Sequence, residues 1–162
     1  MRVPKSTDII GAECKIRDYE RNKAELEDLK DIAITGSTPR PEIQIYSRGH
    51  DRDSTMRSVL FLDGDTRIKI LEADIAAVDY ADLCCVVHRR ENGDKIAKLI
   101  YYVYGHVPAV ASDETLDFIA LDSRKKKKSI VGASVAIGVK SQQWAGKLIR
   151  KYLGWVDSYF SL

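Results

Sequence analysis

The chain of 162 residues lacks the features that mark several common classes of protein. It has three cysteines, of which Cys84 and Cys85 are adjacent and Cys14 is distant, so it contains neither a disulfide framework nor the repeated Cys-x-x-Cys spacing of a structural zinc site. No apolar run approaches the roughly 18 to 20 residues that cross a bilayer, and the first ten residues include no apolar core of the secretory type. These absences predict a cytoplasmic protein in a reducing compartment, with no membrane partner.

The motifs of common enzymes are also missing. The sequence has no glycine motif that would cradle a phosphate, and no nucleophile beside a histidine in a recognisable pattern. The cluster His50–Asp53 lies in a polar stretch, where such clusters arise from composition alone. Cys84, Cys85 and His88 could begin a metal site, but a fourth ligand is not visible and buried cysteine more often acts as a small hydrophobe. We therefore expect no enzymatic activity, no metal and no cofactor.

Acidic residues are absent from one long segment, Arg124 to Val156. This segment holds nine basic residues and carries a charge of +9, whereas the rest of the chain has 17 basic against 24 acidic residues and carries −7. An acidic body joined to a basic C-terminal piece predicts a polyanion as the partner of that piece. The alternative is a solvated lysine-rich loop followed by an ordinary amphipathic helix.

The spacing of apolar residues predicts an all-α fold, with a helical body followed by a C-terminal helix-turn-helix. An amphipathic helix is expected from Ala12 to Ala33, and Pro39 and Pro41 then favour a long connection over Gly36–Asp53. The predicted organisation is an acidic helical body at 1–105 with the long loop 36–53, a basic linker with a short helix at 106–128, and a helix-turn-helix DNA-binding unit at 129–162.

The middle of the body is ambiguous, because SVLFLDGDTRIKIL resembles two apolar runs around a hairpin turn at Asp63-Gly64. Helical spacing further along favours a helix instead, with Asp63-Gly64 as a break before it. This helix is expected to begin near Asp65, a possible N-cap, and to continue to about Arg90. Two short helices are expected next, the first capped by Asp94 and ending before Gly105 and the second at Glu114 to Leu121.

The most informative segment is SIVGASVAIGVKSQQWAGKLIRKYLGWV, which begins at Ser129. Ser129 can cap a first helix, Gly138 can supply a turn, and Ser141 can cap a second helix through Leu153. This pattern predicts a helix-turn-helix. Because SIVGASVAIGV is rich in β-branched residues, a strand followed by a surface helix of an α/β domain is an alternative, and so is a helix pair that serves only as a packing unit.

The second helix of this pair has two chemically different sides. Gln143, Lys147 and Arg150 fall opposite its apolar residues, and these are side-chain types that read base edges in the major groove. Arginine and lysine donate to guanine, and glutamine pairs with adenine. The lysines Lys125, Lys126, Lys127 and Lys128 would supply contacts to DNA phosphates.

The order of these segments resembles the RinA/ArpU-like regulators of late transcription in phages of Gram-positive bacteria, small helical proteins that end in a sigma-region-4-like helix-turn-helix. The segments that carry the resemblance are YERNKAELEDLK, RIKILEADIAAV, KIAKLIYYVYG and GVKSQQWAGKLIRKYL. The resemblance implies an activator in the bacterial cytoplasm that binds double-stranded DNA and contacts RNA polymerase. The DNA-contact candidates that it implies are Ser141, Gln142, Gln143, Lys147, Arg150 and Lys151.

The leading interpretation is therefore a sequence-specific DNA-binding transcriptional regulator. Since a single small module binds DNA weakly, we expect a homo-oligomer formed through the N-terminal helices. Two other classes stay open: a small terminase-like subunit that recognises DNA for packaging, and a helical adaptor whose lysines face an acidic protein.

Overall fold

The structure is a computed structural model that describes residues 6–35, 54–122 and 129–162. Over these ranges it contains α-helices and short 3-10 turns and no strand, which confirms the predicted all-α fold. The helices are α1 (Ser6–Arg17), α2 (Tyr19–Thr35), α3 (Ser54–Val87), α4 (Gly93–Tyr104), α5 (Asp113–Leu121), α6 (Ile130–Ile137) and α7 (Gln142–Ser158), with 3-10 turns at Arg89–Glu91 and Tyr159–Ser161.

The predicted N-terminal helix is present as two consecutive helices. α1 and α2 are separated only at Asp18, whose backbone N–H still donates to the carbonyl oxygen of Cys14 at 2.9 Å. The turn is thus a local irregularity between two successive helices. The long connection predicted over Gly36–Asp53 lies outside the described residues, and so does the cluster His50–Asp53.

The predicted break at Asp63-Gly64 is wrong. α3 continues from Ser54 to Val87 through this dipeptide, and Asp65 is an interior residue whose carboxylate pairs with Lys69 at 3.2 Å rather than an N-cap. A glycine inside a helix costs only about 1 kcal/mol relative to alanine, which the helix formers after it can offset. The hairpin alternative is also wrong, because the residues on both sides of Asp63-Gly64 belong to this one helix.

The connection from α3 to α4 is tight. Asn92 adopts a left-handed backbone with φ of 71°, and its side chain makes no capping hydrogen bond. Asp94, expected as the cap, lies instead in the first turn of α4, where its carboxylate accepts from Arg89 at 3.0 Å and from Ser112 at 2.5 Å. Gly93 is required here, because a Cβ atom would overlap the carbonyl oxygen of Cys85.

The chain divides into two compact units, Met1–Tyr19 with Ile75–Leu162, and Glu20–Asp74. In the first unit, α7 packs against α1, α4 and α6, and α4 also packs against α5 and α6. The core of this unit includes Val78, Ala81, Ile96, Leu99, Ile100, Leu148, Ile149, Tyr152, Leu153 and Val156. The predicted boundaries at residues 105 and 129 both fall inside this unit.

The second unit contains most of α2 and the first part of α3. Glu25 accepts two hydrogen bonds from the Arg67 guanidinium, at 2.8 and 3.0 Å, and Lys30 pairs with Glu72 at 2.8 Å. These side chains are partly exposed, so the pairs contribute little to stability, on the order of 1 kcal/mol or less each. Leu71 is fully buried.

Candidate nucleic-acid interface

α6 begins and ends where local chemistry predicts, and so does the start of α7, but α7 continues to Ser158 rather than ending at Leu153. The Ser129 hydroxyl accepts from the Gly132 N–H at 3.2 Å, and the Ser141 hydroxyl accepts from the Trp144 N–H at 3.1 Å. Between the helices, Gly138 has a left-handed backbone with φ of 74°, which closes α6 through hydrogen bonds to its last carbonyls. Residues 130–137 are therefore helical, and the strand alternative for this segment is wrong.

One side of α7 is anchored in the core of the first unit. Its buried residues are Ala145, Leu148, Ile149, Tyr152, Leu153, Trp155 and Val156, spaced as expected for one face of a helix. Burial of several large side chains is worth roughly 1.5 to 3 kcal/mol each, so this helix is held in a defined orientation. Its outward side is fixed as a consequence.

The outward side of α7 is polar and basic. Gln143, Lys147 and Arg150 follow one another at i, i+4 and i+7, and all three are exposed. Lys147 and Arg150 have no ion-pair partner among the described residues, so both cations are available to another molecule. Gly146 lies beside them, and a Cβ atom there would meet nothing within 4 Å.

The other predicted contact residues are placed differently. Ser141 is exposed and its hydroxyl serves as the cap of α7, and Gln142 is exposed in the first turn. The Lys151 side chain contacts other residues of the protein. Its Nζ atom lies 3.7 Å from a Glu91 carboxylate oxygen and 5.4 Å from the centre of the Trp155 ring. The four lysines from Lys125 to Lys128 lie outside the described residues.

A buried polar cluster connects α7 to α3. Asp82 is only 1% exposed, and its carboxylate accepts from the Tyr152 hydroxyl at 2.7 Å and from the Ala109 N–H at 3.0 Å. His106 Nε2 lies 2.9 Å from the same carboxylate. Burial and the negative charge of Asp82 raise the pKa of Tyr152 well above its ordinary value.

This cluster resembles a catalytic constellation only in composition. Asp82 and Tyr152 are at most 1% exposed and His106 is 4% exposed, so no substrate can reach their polar atoms. The Tyr152 hydroxyl and the Ala109 N–H donate to this carboxylate, with the His106 ring beside it, and these contacts offset the cost of burying it. The cluster therefore helps to hold α7 in position, together with the apolar contacts of this helix.

The three residues of the cysteine and histidine cluster have different surroundings in the structure. Cys84 and Cys85 are buried, and burial raises the pKa of both thiols. His88 instead stacks on Trp155, with ring centres 5.5 Å apart. In the part of the chain that is described, no group of three or more His, Cys, Asp or Glu side chains could hold a metal ion.

The sequence analysis missed two features, one on the surface of α7 and one in the core beneath it. Trp144 is 40% exposed at the start of α7 and Lys140 is exposed just before it, so an aromatic ring and a further cation lie near Gln143. The partners of Asp82 were also missed. The available signal was its position four residues after Val78 on the buried face of α3, where a lone charge requires partners.

In comparisons with known proteins, no family model, curated protein or solved structure matches the chain. Within residues 6–35, 54–122 and 129–162, none of the helices combines the length and apolar character needed to span a membrane.

Proposed function

We propose that this protein binds double-stranded DNA in a sequence-specific manner through α7 and acts as a transcriptional regulator. The observation that carries the proposal is the outward side of α7, where Gln143, Lys147 and Arg150 are exposed on a helix whose other side is buried. A helix about 10 to 12 Å across fits the major groove when one of its sides is free in this way.

The side chains define what each would contact. Arg150 and Lys147 are donors suited to the O6 and N7 atoms of guanine or to phosphates, and Gln143 can pair with the N6 and N7 edge of adenine. Gln143 and Lys147 lie in the first two turns of α7, the part of a recognition helix that reaches base edges. The basic run Arg124–Lys128 would add phosphate contacts that do not depend on sequence.

The biological setting rests on the resemblance to RinA/ArpU-like regulators. It supports activation of phage late genes in a bacterial cytoplasm, with RNA polymerase as a further partner. Lys151 contributes less to the proposal than the sequence suggested, because it already pairs with Glu91.

The test compares affinities for duplex DNA by fluorescence anisotropy over a range of salt concentrations. Lys147→Ala is expected to weaken binding and to lower the slope of log affinity against log salt by about 1, because one phosphate contact is lost. Arg150→Ala is expected to cost about 1 to 3 kcal/mol on a preferred site, because a base contact is lost.

The matched control is Lys95→Ala, which removes one exposed positive charge from α4 rather than α7. It lowers the net charge by the same amount as either α7 substitution, so its affinity should stay close to that of the wild type. Equal effects of all three substitutions would mean that α7 is not the contact element and would contradict the proposal.

A further inference from the structure

Trp144 is a large aromatic residue on the surface of the protein, at the start of α7. It is 40% exposed, whereas Trp155, the other tryptophan of the chain, is 9% exposed. In the part of the chain that is described, the Trp144 indole makes no hydrogen bond, no cation-π contact and no contact with another aromatic ring. The exposed part of the ring is therefore available to another molecule.

The position of Trp144 in the sequence of α7 places it within the candidate interface. It lies in the first turn, directly after Gln143 and three residues before Lys147, and residues three apart are neighbours on the surface of a helix. Side chains on a helix also lean toward its N-terminus, which is the end of a recognition helix that reaches base edges. In the proposed function, this ring would enter the groove beside Gln143 and Lys147.

The charges near Trp144 favour a polyanion as the molecule that covers the ring. Residues 129–156 contain four charged side chains, all of them basic: Lys140, Lys147, Arg150 and Lys151. The first three are exposed. A single exposed apolar residue is common on protein surfaces and needs no ligand, but an exposed indole among exposed cations matches a partner that combines negative charge with apolar groups. Nucleic acid has this combination.

The major groove of DNA offers one apolar group that the ring can cover. Of the four bases, only thymine presents a methyl group there, and its O4 acceptor lies on the same edge. The remaining groups on the base edges are polar and would lose hydrogen bonds to water beneath an apolar ring. Because the indole has an apolar face and a single N–H donor, Trp144 can cover the methyl group and donate to O4.

We infer that Trp144 is a specificity-determining residue that contacts the methyl group of a thymine in the DNA site read by α7. The inference rests on the proposed function and deepens it. Gln143, Lys147 and Arg150 have side chains for polar base edges or phosphates, whereas Trp144 selects a base by its apolar group. Replacement of this thymine by uracil removes the methyl group and keeps base pairing, so it weakens binding.

The experiment is a double-mutant cycle, measured by fluorescence anisotropy on the duplex site that the wild type selects from random sequences. Each thymine of the site is replaced in turn by deoxyuridine. At one position or more, the replacement is expected to weaken binding by the wild type about fourfold, as for the loss of one buried methyl group. Trp144→Ala is expected to bind the thymine duplex about tenfold more weakly and to bind both duplexes equally at that position. Trp144→Phe keeps an apolar ring and should retain the preference for thymine.

The matched control is Phe160→Ala, which removes a 51% exposed ring from the 3-10 turn after α7 and should keep both the affinity and the preference for thymine. A wild type that selects no site contradicts the proposed function and this inference together. Four results overturn the inference alone: a selected site that has no thymine or is insensitive to every uracil replacement, a Trp144→Ala variant that keeps the preference, a Trp144→Phe variant that loses it, or an equal loss in the control.

Discussion

At the scale of single residues, two glycines of this chain differ in whether their surroundings leave space for a Cβ atom. Gly93 lies where α4 meets the end of α3, and a Cβ atom there would overlap the Cys85 carbonyl oxygen and approach the His88 backbone at 2.9 Å. Gly146 is inside α7 with open space around it. The same substitution should therefore have opposite effects at the two positions.

Gly93→Ala is expected to lower the free energy of unfolding by about 1 to 3 kcal/mol, since backbone atoms on both sides must move. Gly146→Ala is expected to raise it by up to about 1 kcal/mol through helix propensity. Urea denaturation followed by circular dichroism measures both values. A Gly93→Ala variant as stable as the wild type would show that the connection between α3 and α4 is looser than described.

The residues of the candidate interface were predictable to different degrees. Helical spacing correctly predicted that Gln143, Lys147 and Arg150 lie on one exposed side of α7. This was possible because residues three or four apart in a helix share a side. Lys151 lies at the border of that side, and its contact with Glu91 depends on the neighbouring 3-10 turn, which sequence spacing does not reveal.

Among the elements, α7 and α3 share a buried hydrogen bond that helps to hold the candidate interface in place. The Tyr152 hydroxyl donates to Asp82, and Tyr152 is fully buried. Tyr152→Phe keeps the ring and removes the donor, leaving Asp82 with one hydrogen bond fewer. Because the acceptor is charged, this loss is expected to cost about 1.5 to 3 kcal/mol near pH 7.

The pH dependence of this cost identifies its cause. The pKa of Tyr152 is raised in the folded state, so the folded protein keeps the phenolic proton at pH values where the unfolded chain releases it. The wild type therefore loses stability as pH rises above about 10, whereas the Phe variant lacks this loss, and the difference between them should shrink by about 1.4 kcal/mol per pH unit. Urea denaturation from pH 7 to 11 measures it, and a constant difference would contradict this reading of the cluster.

Elements with strong local signals were predicted well. Ser129, Gly138 and Ser141 gave the limits of α6 and the start of α7, because caps and turns depend on neighbours in sequence. α3 shows where local rules fail: Asp63-Gly64 has the chemistry of a turn, yet the helix continues through it. Propensity is a weak preference that the rest of a long helix can override.

At the scale of the whole molecule, the asymmetry of charge is the property that first suggests a polyanion as a partner. The segment from Arg124 to Val156 carries +9 and the rest of the chain −7, so one end attracts polyanions and the other repels them. The structure places the described part of this basic segment on α6 and α7, within the same compact unit as α1 and α4.

Selection of binding sites from a pool of random DNA duplexes measures whether α7 reads a base sequence. The wild type should enrich a consensus, and Arg150→Ala should lose the preference at one base position while it keeps the others. Recovery of no consensus by the wild type, at a salt concentration where it binds DNA, would contradict sequence-specific reading by α7.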